Sequence, residues 1–188
     1  MSPARRRSRP GPARPGAWRE NIESLVWAIA LALLIRTFIM APFKIPSGSM
    51  RPTLMEGDRI LVNKFLYRFR EPRRGDIIVF RYPPEPKRPF IKRLVAAGGD
   101  QVEVRDGTLY VNGAPLALPA GVTPGYTNGG AFGQRGQVVD VPAGALYVLG
   151  DNTEHSHDSR FWGFVPRRLV IGRAMCIFWP VTRWRILR

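Results

Sequence analysis

The stretch FIKRLVA, residues 90–96, gives the clearest indication of the fold of this chain. Aromatic, aliphatic and β-branched residues in a short run of this kind are typical of a β-strand. Comparable runs, separated by Gly and Pro clusters, cover residues 60–62, 76–82, 101–105, 109–111, 138–141, 145–149 and 169–178. The pair Asn112-Gly113 adds a hairpin-type turn signal. The sequence therefore predicts an all-β domain of coiled antiparallel β-sheet, with residues 114–136 as a long irregular loop.

Lys92 is the unusual residue of that strand. Alternation along a strand places Phe90, Lys92 and Leu94 on one face and Arg93 on the other. Apolar neighbours disfavour the charged form of a lysine, so burial there would lower its pKa and let it accept a proton. A lysine on a strand more commonly extends its ammonium group to solvent, and this residue alone does not decide between the two roles.

Ser49 is a candidate nucleophile in the stretch IPSGSMRPTL, residues 45–54. A serine beside a glycine, in a turn flanked by proline, can be held with its hydroxyl exposed. A neutral lysine is a competent base for such a hydroxyl. Ser49 and Lys92 together favour a hydrolase with a serine nucleophile.

The N-terminal region differs in composition from the rest of the chain. Residues 1–19 contain six arginines and no acidic residue, which predicts a disordered basic tail on the cytoplasmic side. Residues 25–43 are almost entirely apolar and would span about 28 Å as a helix, close to the thickness of a bilayer core. The sequence thus predicts a transmembrane anchor α-helix over residues 20–43 and an extracytoplasmic domain over 44–188. A removable leader and a buried core helix are the alternatives.

The net charge of +15 favours anionic partners. Because the arginine-rich tail adjoins the apolar segment, we expect membrane lipids as a partner, at the inner (plasma) membrane with a single pass, and not nucleic acid. A length of 188 residues suits one domain with an appendage. Cys176 is the only cysteine, so no intrachain disulfide can form.

Both histidines of the chain, His155 and His157, lie close to three acidic residues in the segment 151–158. A Ser-His-Asp triad and a His-x-His metal site are therefore conceivable. Closely spaced imidazoles on an exposed loop are more commonly just solvated. We therefore expect neither a metal nor a cofactor.

Five ordered blocks of sequence carry a family resemblance. They are PSGSMRPTL at 46–54, GDRILVNK at 57–64, RGDIIVF at 74–80, KR at 92–93, and GDN at 150–152 followed by SHDSRFWGFVP at 156–166. In this order they resemble bacterial type I signal peptidase, the Ser-Lys protease family that releases secreted proteins from their leader peptides. The resemblance covers residues 25–181. One departure is AAGGD at 96–100, where the family usually has a turn containing proline.

The resemblance implies roles for individual residues. Ser49 would be the nucleophile and Lys92 the general base, while the Ser49 backbone N–H and the Ser47 hydroxyl would stabilise the oxyanion. Ser156 would hydrogen-bond Lys92 and orient it. The residues expected to support the site are Gly150, Asp151, Asp158 and Arg160.

The implied substrate is an exported preprotein, cut at its signal peptide after a small-x-small sequence such as Ala-x-Ala. Residues 42–49 and 90–92 would flank the extended peptide. The candidate pocket walls are Ile45, Met50, Leu54, Phe90 and Ile91, which as apolar residues could equally belong to the core. Two alternatives stay open: a Ser-Lys protease dedicated to one substrate, and a non-catalytic basic membrane protein.

Overall fold

The computed structural model describes residues 17–34, 36, 39–122 and 125–187, and the chain divides into two compact units, residues 1–37 and 38–188. In the first unit, helix α1 covers Ala17–Leu34. Glu20 in its first turn complements the positive end of the helix dipole. Within the described residues, no helix combines the length and the apolar character needed to cross a membrane.

The observed bounds correct those predicted for the N-terminal region. Helix α1 covers Ala17–Leu34, so it begins before residue 20, and the described residues Arg36 and Ile39 have π-helical geometry, so helical structure stops short of Phe43. Met40–Lys44 form a strand instead. Pro42 in the middle of this segment explains the change, because proline lacks a backbone N–H and its ring clashes inside a helix. Residues 1–16, which make up most of the predicted disordered tail, lie outside the described residues.

Twelve strands occur in the described part of the second unit. In chain order they are β1 (Met40–Lys44), β2 (Arg59–Asn63), β3 (Ile77–Tyr82), β4 (Glu85–Ala97), β5 (Gln101–Arg105), β6 (Thr108–Val111), β7 (Ala114–Pro115), β8 (Val138–Asp140), β9 (Ala145–Leu149), β10 (Val165–Pro166), β11 (Val170–Trp179) and β12 (Arg185–Ile186). The larger sheet has the order β1-β2-β11-β3-β4-β9-β10, with β12 paired to β11, and the smaller sheet has the order β7-β6-β5-β8. Neighbouring strands are antiparallel in both sheets.

The prediction of an antiparallel, mostly β fold is confirmed. Each predicted strand is present, and β5 and β9 have the predicted bounds. Asn112 and Gly113 have φ angles of 53° and 77° and connect β6 with β7, as a tight hairpin turn requires. The strands β7, β10 and β12 were not predicted, because two residues are too few to show a period of two.

Strand β4 is central to the larger sheet and separates two apolar clusters. Phe90 and Leu94 pack in a cluster with Phe80 of β3, whereas Ile91 packs in a second cluster with Ile60 of β2. This confirms the predicted alternation of faces along β4. On its face of β4, Lys92 therefore lies between the apolar side chains of Phe90 and Leu94.

Candidate active site

Ser49 and Lys92 meet in the structure. Ser49 lies in a single turn of 3-10 helix, Gly48–Met50, and Lys92 lies on β4 directly across from Ile78 of β3. The Lys92 Nζ is 2.5 Å from the Ser49 Oγ. This distance allows direct transfer of a proton between the hydroxyl and the amine.

The turn around Ser49 is held in place by backbone hydrogen bonds and by neighbouring side chains buried in the core. The Arg51 N–H donates to the Gly48 carbonyl oxygen at 3.1 Å, and the Leu54 N–H donates to the Met50 carbonyl oxygen at 2.8 Å. Met50 and Leu54 are fully buried in the cluster that contains Ile60. Ile45, on the other side of Ser49, is buried in the same cluster, so the backbone of Ser49 is held between two residues anchored in the core.

Burial makes Lys92 a weaker base than a lysine in water. Lys92 is only 3% exposed. Desolvation lowers its pKa from 10.5 to about 8, the carboxylates of Asp158 and Asp151 oppose the shift, and Arg160 adds to it. A substantial fraction of the amine is therefore neutral in mildly alkaline solution.

A buried ion pair lies behind Lys92. Asp158 and Arg160 are both completely buried, and the Arg160 Nε donates to the Asp158 Oδ1 at 2.8 Å. Asp158 also precedes the short helix α2 (Ser159–Trp162) and accepts from the Gly150 N–H at 3.1 Å. Arg160 further donates to the carbonyl oxygens of Thr127, Thr153 and Ser156. The pair therefore connects the segment around Gly150 with the loop that follows it.

A second buried ion pair stands on the opposite face of β4. The Arg93 Nε donates to the Asp151 Oδ1 at 2.8 Å, and its Nη2 donates to the Asp151 Oδ2 at 2.6 Å. Arg93 lies on the face predicted for it, but sequence reasoning gave it no partner. The bidentate contact ties β4 to residue 151, next to the turn that carries Ser49.

Asn152 contacts the nucleophile turn directly. Its Nδ2 donates to the Gly48 carbonyl oxygen at 3.1 Å, and its backbone N–H donates to the Ser49 carbonyl oxygen at 3.2 Å. A β-carbon at Gly150 would overlap the Ser49 carbonyl oxygen, so only glycine allows this approach. The sequence pointed to the block GDN but not to this use of the asparagine.

Comparison with known proteins decides the family. The family model described as signal peptidase, peptidase S26, matches residues 18–179. A probable signal peptidase I-1 of Synechocystis sp. is 43% identical over 181 residues, covering 90% of this chain and 88% of the relative. The chain belongs to the signal peptidase family.

Two further relatives extend this comparison. Signal peptidase I of Pseudomonas aeruginosa is 38% identical over 196 residues, covering 80% of this chain and 69% of the relative. A crystal structure of a signal peptidase I from Enterococcus faecalis is 33% identical, with a TM-score of 0.44, and covers 55% of this chain and 97% of that one. The matched family model and the Pseudomonas aeruginosa relative show that the chain is a peptidase of the S26 family.

One residue that the signal peptidase resemblance implied takes a different position. Ser156 was predicted to hydrogen-bond Lys92, but its Oγ is buried and has no hydrogen-bond partner within the described residues. The hydroxyl lies against the Cα of Gly150, where a β-carbon would overlap it. In this geometry Ser49, and not Ser156, is the hydroxyl at Lys92.

The predicted pocket residues fall into two groups. Ile45, Phe90 and Ile91 line an apolar cavity of about 80 Å³. Met50 and Leu54 are 0% exposed, so their assignment as pocket walls is wrong. The reason is that Met50 ends the 3-10 turn with its side chain in the core, and Leu54, whose N–H donates to the Met50 carbonyl oxygen, packs in the same cluster.

His155 and His157 line the groove of about 550 Å³ that also contains Ser47, Ser49 and Lys92. The described hydrogen bond of the Ser49 hydroxyl is to Lys92 and not to an imidazole. The His157 Nε2 lies 3.3 Å from the Tyr82 hydroxyl oxygen instead. No group of side chains suited to hold a metal ion occurs in the part of the chain that the structure describes.

Proposed function

We propose that this chain is a membrane-bound serine endopeptidase that removes signal peptides from exported preproteins, with Ser49 as nucleophile and Lys92 as general base. The observation that carries the proposal is the 2.5 Å contact between Lys92 and Ser49 in a member of the signal peptidase family. Burial supports it further, because an amine with a pKa of about 8 is available as a base.

The chemistry follows from the two groups. Neutral Lys92 accepts the hydroxyl proton as the Ser49 Oγ attacks the scissile carbonyl carbon, and the resulting ammonium gives a proton to the departing amine. The acyl-enzyme is then hydrolysed by a water that loses its proton to Lys92. The Ser49 N–H and the Ser47 hydroxyl are the proposed oxyanion donors. Ser47 is suited to this because it lines the groove and its side chain makes no capping bond to the turn.

Substrate selection is proposed to occur in the apolar cavity beside the dyad. A volume of about 80 Å³, bounded by Ile45, Phe90 and Ile91, suits a side chain as small as that of alanine. Phe90 also lines the groove that contains Ser49, so the cavity adjoins the dyad. These features support cleavage after small-x-small sequences such as Ala-x-Ala.

The membrane location is proposed from the sequence. The six arginines within residues 1–19 favour a cytoplasmic N-terminus, and the apolar segment after them favours a single pass that leaves the peptidase unit on the extracytoplasmic side. Membrane lipids are then direct partners, while nucleic acid is not expected to be one. Carbonate extraction of membranes and protease accessibility in cells test the anchor and the orientation separately.

One assay tests the proposed activity. The full chain, purified in detergent, receives a precursor with an Ala-x-Ala site, and the products are identified by mass. We expect a single cut after the second alanine, lost in Ser49→Ala and in Lys92→Met but retained in Lys87→Met, which removes an exposed lysine from the same strand. Cleavage by Ser49→Ala at the wild-type rate would refute the proposal. A panel of unrelated precursors distinguishes a general enzyme from one dedicated to a single substrate.

A further inference from the structure

We propose that the groove beyond Ser49 binds the segment that follows the scissile bond, and that Glu154 makes it favour basic over acidic residues there. This inference rests on the proposed function and extends it to the leaving side of the substrate.

Three cavities around the dyad are linked by shared lining residues. The apolar cavity shares Phe90 with the central groove that contains Ser49. The central groove in turn shares Arg51 and Asn152 with a third groove of about 520 Å³. Within the described residues, no lining residue is common to the apolar cavity and the third groove. The central groove therefore lies between the other two.

This order sets the direction of the bound peptide. Small side chains before the cut occupy the apolar cavity, and the scissile carbonyl carbon must lie at the Ser49 Oγ. An extended chain advances by about 3.3 Å per residue, so the residues after the cut leave the central groove within a few positions. They leave it past Arg51 and Asn152, into the third groove.

An ion pair forms the wall just beyond the nucleophile. The Arg51 Nε and Nη2 donate to the two carboxylate oxygens of Glu56 at 2.7 and 2.6 Å. The pair lies against Gly48, where a β-carbon would be 2.8 Å from Glu56 and 2.9 Å from Arg51. Since the two charges compensate each other, this wall contacts the first residue after the cut without selecting a charge.

Among the described residues that line the third groove, one has a charge that no strong ion pair compensates. Asp151, which lines it, is neutralised by Arg93. Glu154 lines it too, and its side chain is 66% exposed. The cationic group described nearest to Glu154 is the His155 imidazole, 4.0 Å away and charged only when protonated. At neutral pH the groove therefore attracts a lysine or arginine side chain and repels a carboxylate.

Three peptides test the inference. They share an Ala-x-Ala site and differ only at the second and third residues after the cut, which are both Lys, both Gln or both Asp. We expect kcat/KM to fall in that order, by about three- to tenfold in total, mainly through KM, because exposed charge pairs are weak. Glu154→Gln should abolish most of the preference. The control Asp106→Asn, which removes an exposed carboxylate elsewhere, should retain it.

Arg51→Gln should have the opposite effect to Glu154→Gln, because it removes a positive charge instead of a negative one. It frees the Glu56 carboxylate, so the preference for Lys over Asp should increase. Salt at about 1 M, where the Debye length is about 3 Å, should reduce the preference in every variant. Equal cleavage of the three peptides by the wild-type chain, or an unchanged preference in Glu154→Gln, would overturn the inference and leave the proposed function intact. If no peptide is cleaved, the proposed function fails and the inference falls with it.

Discussion

The Lys92 Nζ and the Ser49 Oγ lie 2.5 Å apart, although 43 positions separate the two residues in the chain. The protonation state of Lys92 determines what this contact does. An ammonium group donates its hydrogen to the Ser49 oxygen and holds it, whereas a neutral amine accepts the hydroxyl hydrogen and activates the oxygen. The pKa of Lys92 is therefore the property that links the fold to the proposed chemistry.

The pH dependence of cleavage should report this pKa. We expect kcat/KM to rise about tenfold per pH unit in acidic and neutral solution and to level off above a pH of about 8, where Lys92 is neutral. Lys92→Arg should be inactive throughout, because a guanidinium does not deprotonate in proteins. Near wild-type cleavage by Lys92→Arg would make Lys92 a charge partner only and direct the search for a base to His155 or His157.

The same lysine should reduce stability. Its folded pKa of about 8 lies below the unfolded value of 10.5, so the unfolded chain binds more protons between these two pH values. The free energy of unfolding of the wild type should therefore rise across this window. Lys92→Met should stabilise the chain at pH 7 by about 3 kcal/mol, the equivalent of the pKa shift, and the gain should vanish above pH ~10.5. Denaturant unfolding at both pH values measures it, and an equal gain at both would contradict the linkage.

Ser47 provides a test of the oxyanion donors. Ser47→Ala should lower kcat by a factor of about 10² to 10³ with little change in KM, because the hydroxyl would act on the transition state alone. Steady-state kinetics on the same precursor separates the two constants. A rise in KM at constant kcat would instead make Ser47 a binding residue, and circular dichroism serves as the control for folding.

The buried pair Arg93–Asp151 should show strong coupling in unfolding experiments. Asp151→Asn leaves the Arg93 guanidinium without its counter-charge inside the protein, so we expect a loss of about 3–5 kcal/mol in the free energy of unfolding. The double change Arg93→Met with Asp151→Leu should recover most of that loss. The single changes Arg93→Met and Asp151→Leu complete the cycle. If the double variant loses as much free energy of unfolding as these two single variants together, the two residues stabilise the fold independently.

Neither metal nor histidine should be needed for cleavage. A chelator, and separately the double change His155→Ala with His157→Ala, should leave the rate within about tenfold of the wild type, the equivalent of ~1.4 kcal/mol. The reason is that the hydrogen-bond partner of the Ser49 hydroxyl is Lys92 and not an imidazole. A loss of about a thousandfold in either experiment would be incompatible with a Ser-Lys dyad.

The apolar composition of the N-terminal region did not predict where the helix ends and strand β1 begins. Apart from Arg36 and Thr37 the residues between the helix and β1 are apolar, so hydropathy placed Met40–Phe43 in the predicted anchor. The structure pairs them with β2, from Met40 opposite Asn63 to Phe43 opposite Ile60. Hydropathy measures how apolar a segment is. It carries no information about the partner strand, and pairing with that strand decides the conformation here.

The sequence by itself determined the antiparallel β architecture, the turn at Asn112-Gly113 and the membership of the signal peptidase family. Those features depend on local periodicity, turn chemistry and ordered motifs, which the chain carries residue by residue. Only the tertiary structure decided that Met50 and Leu54 are core anchors, that Arg93 pairs with Asp151 and that the Ser156 hydroxyl does not contact Lys92. Each of these depends on which distant side chains surround a residue, and burial and pairing follow from the packing of the whole unit.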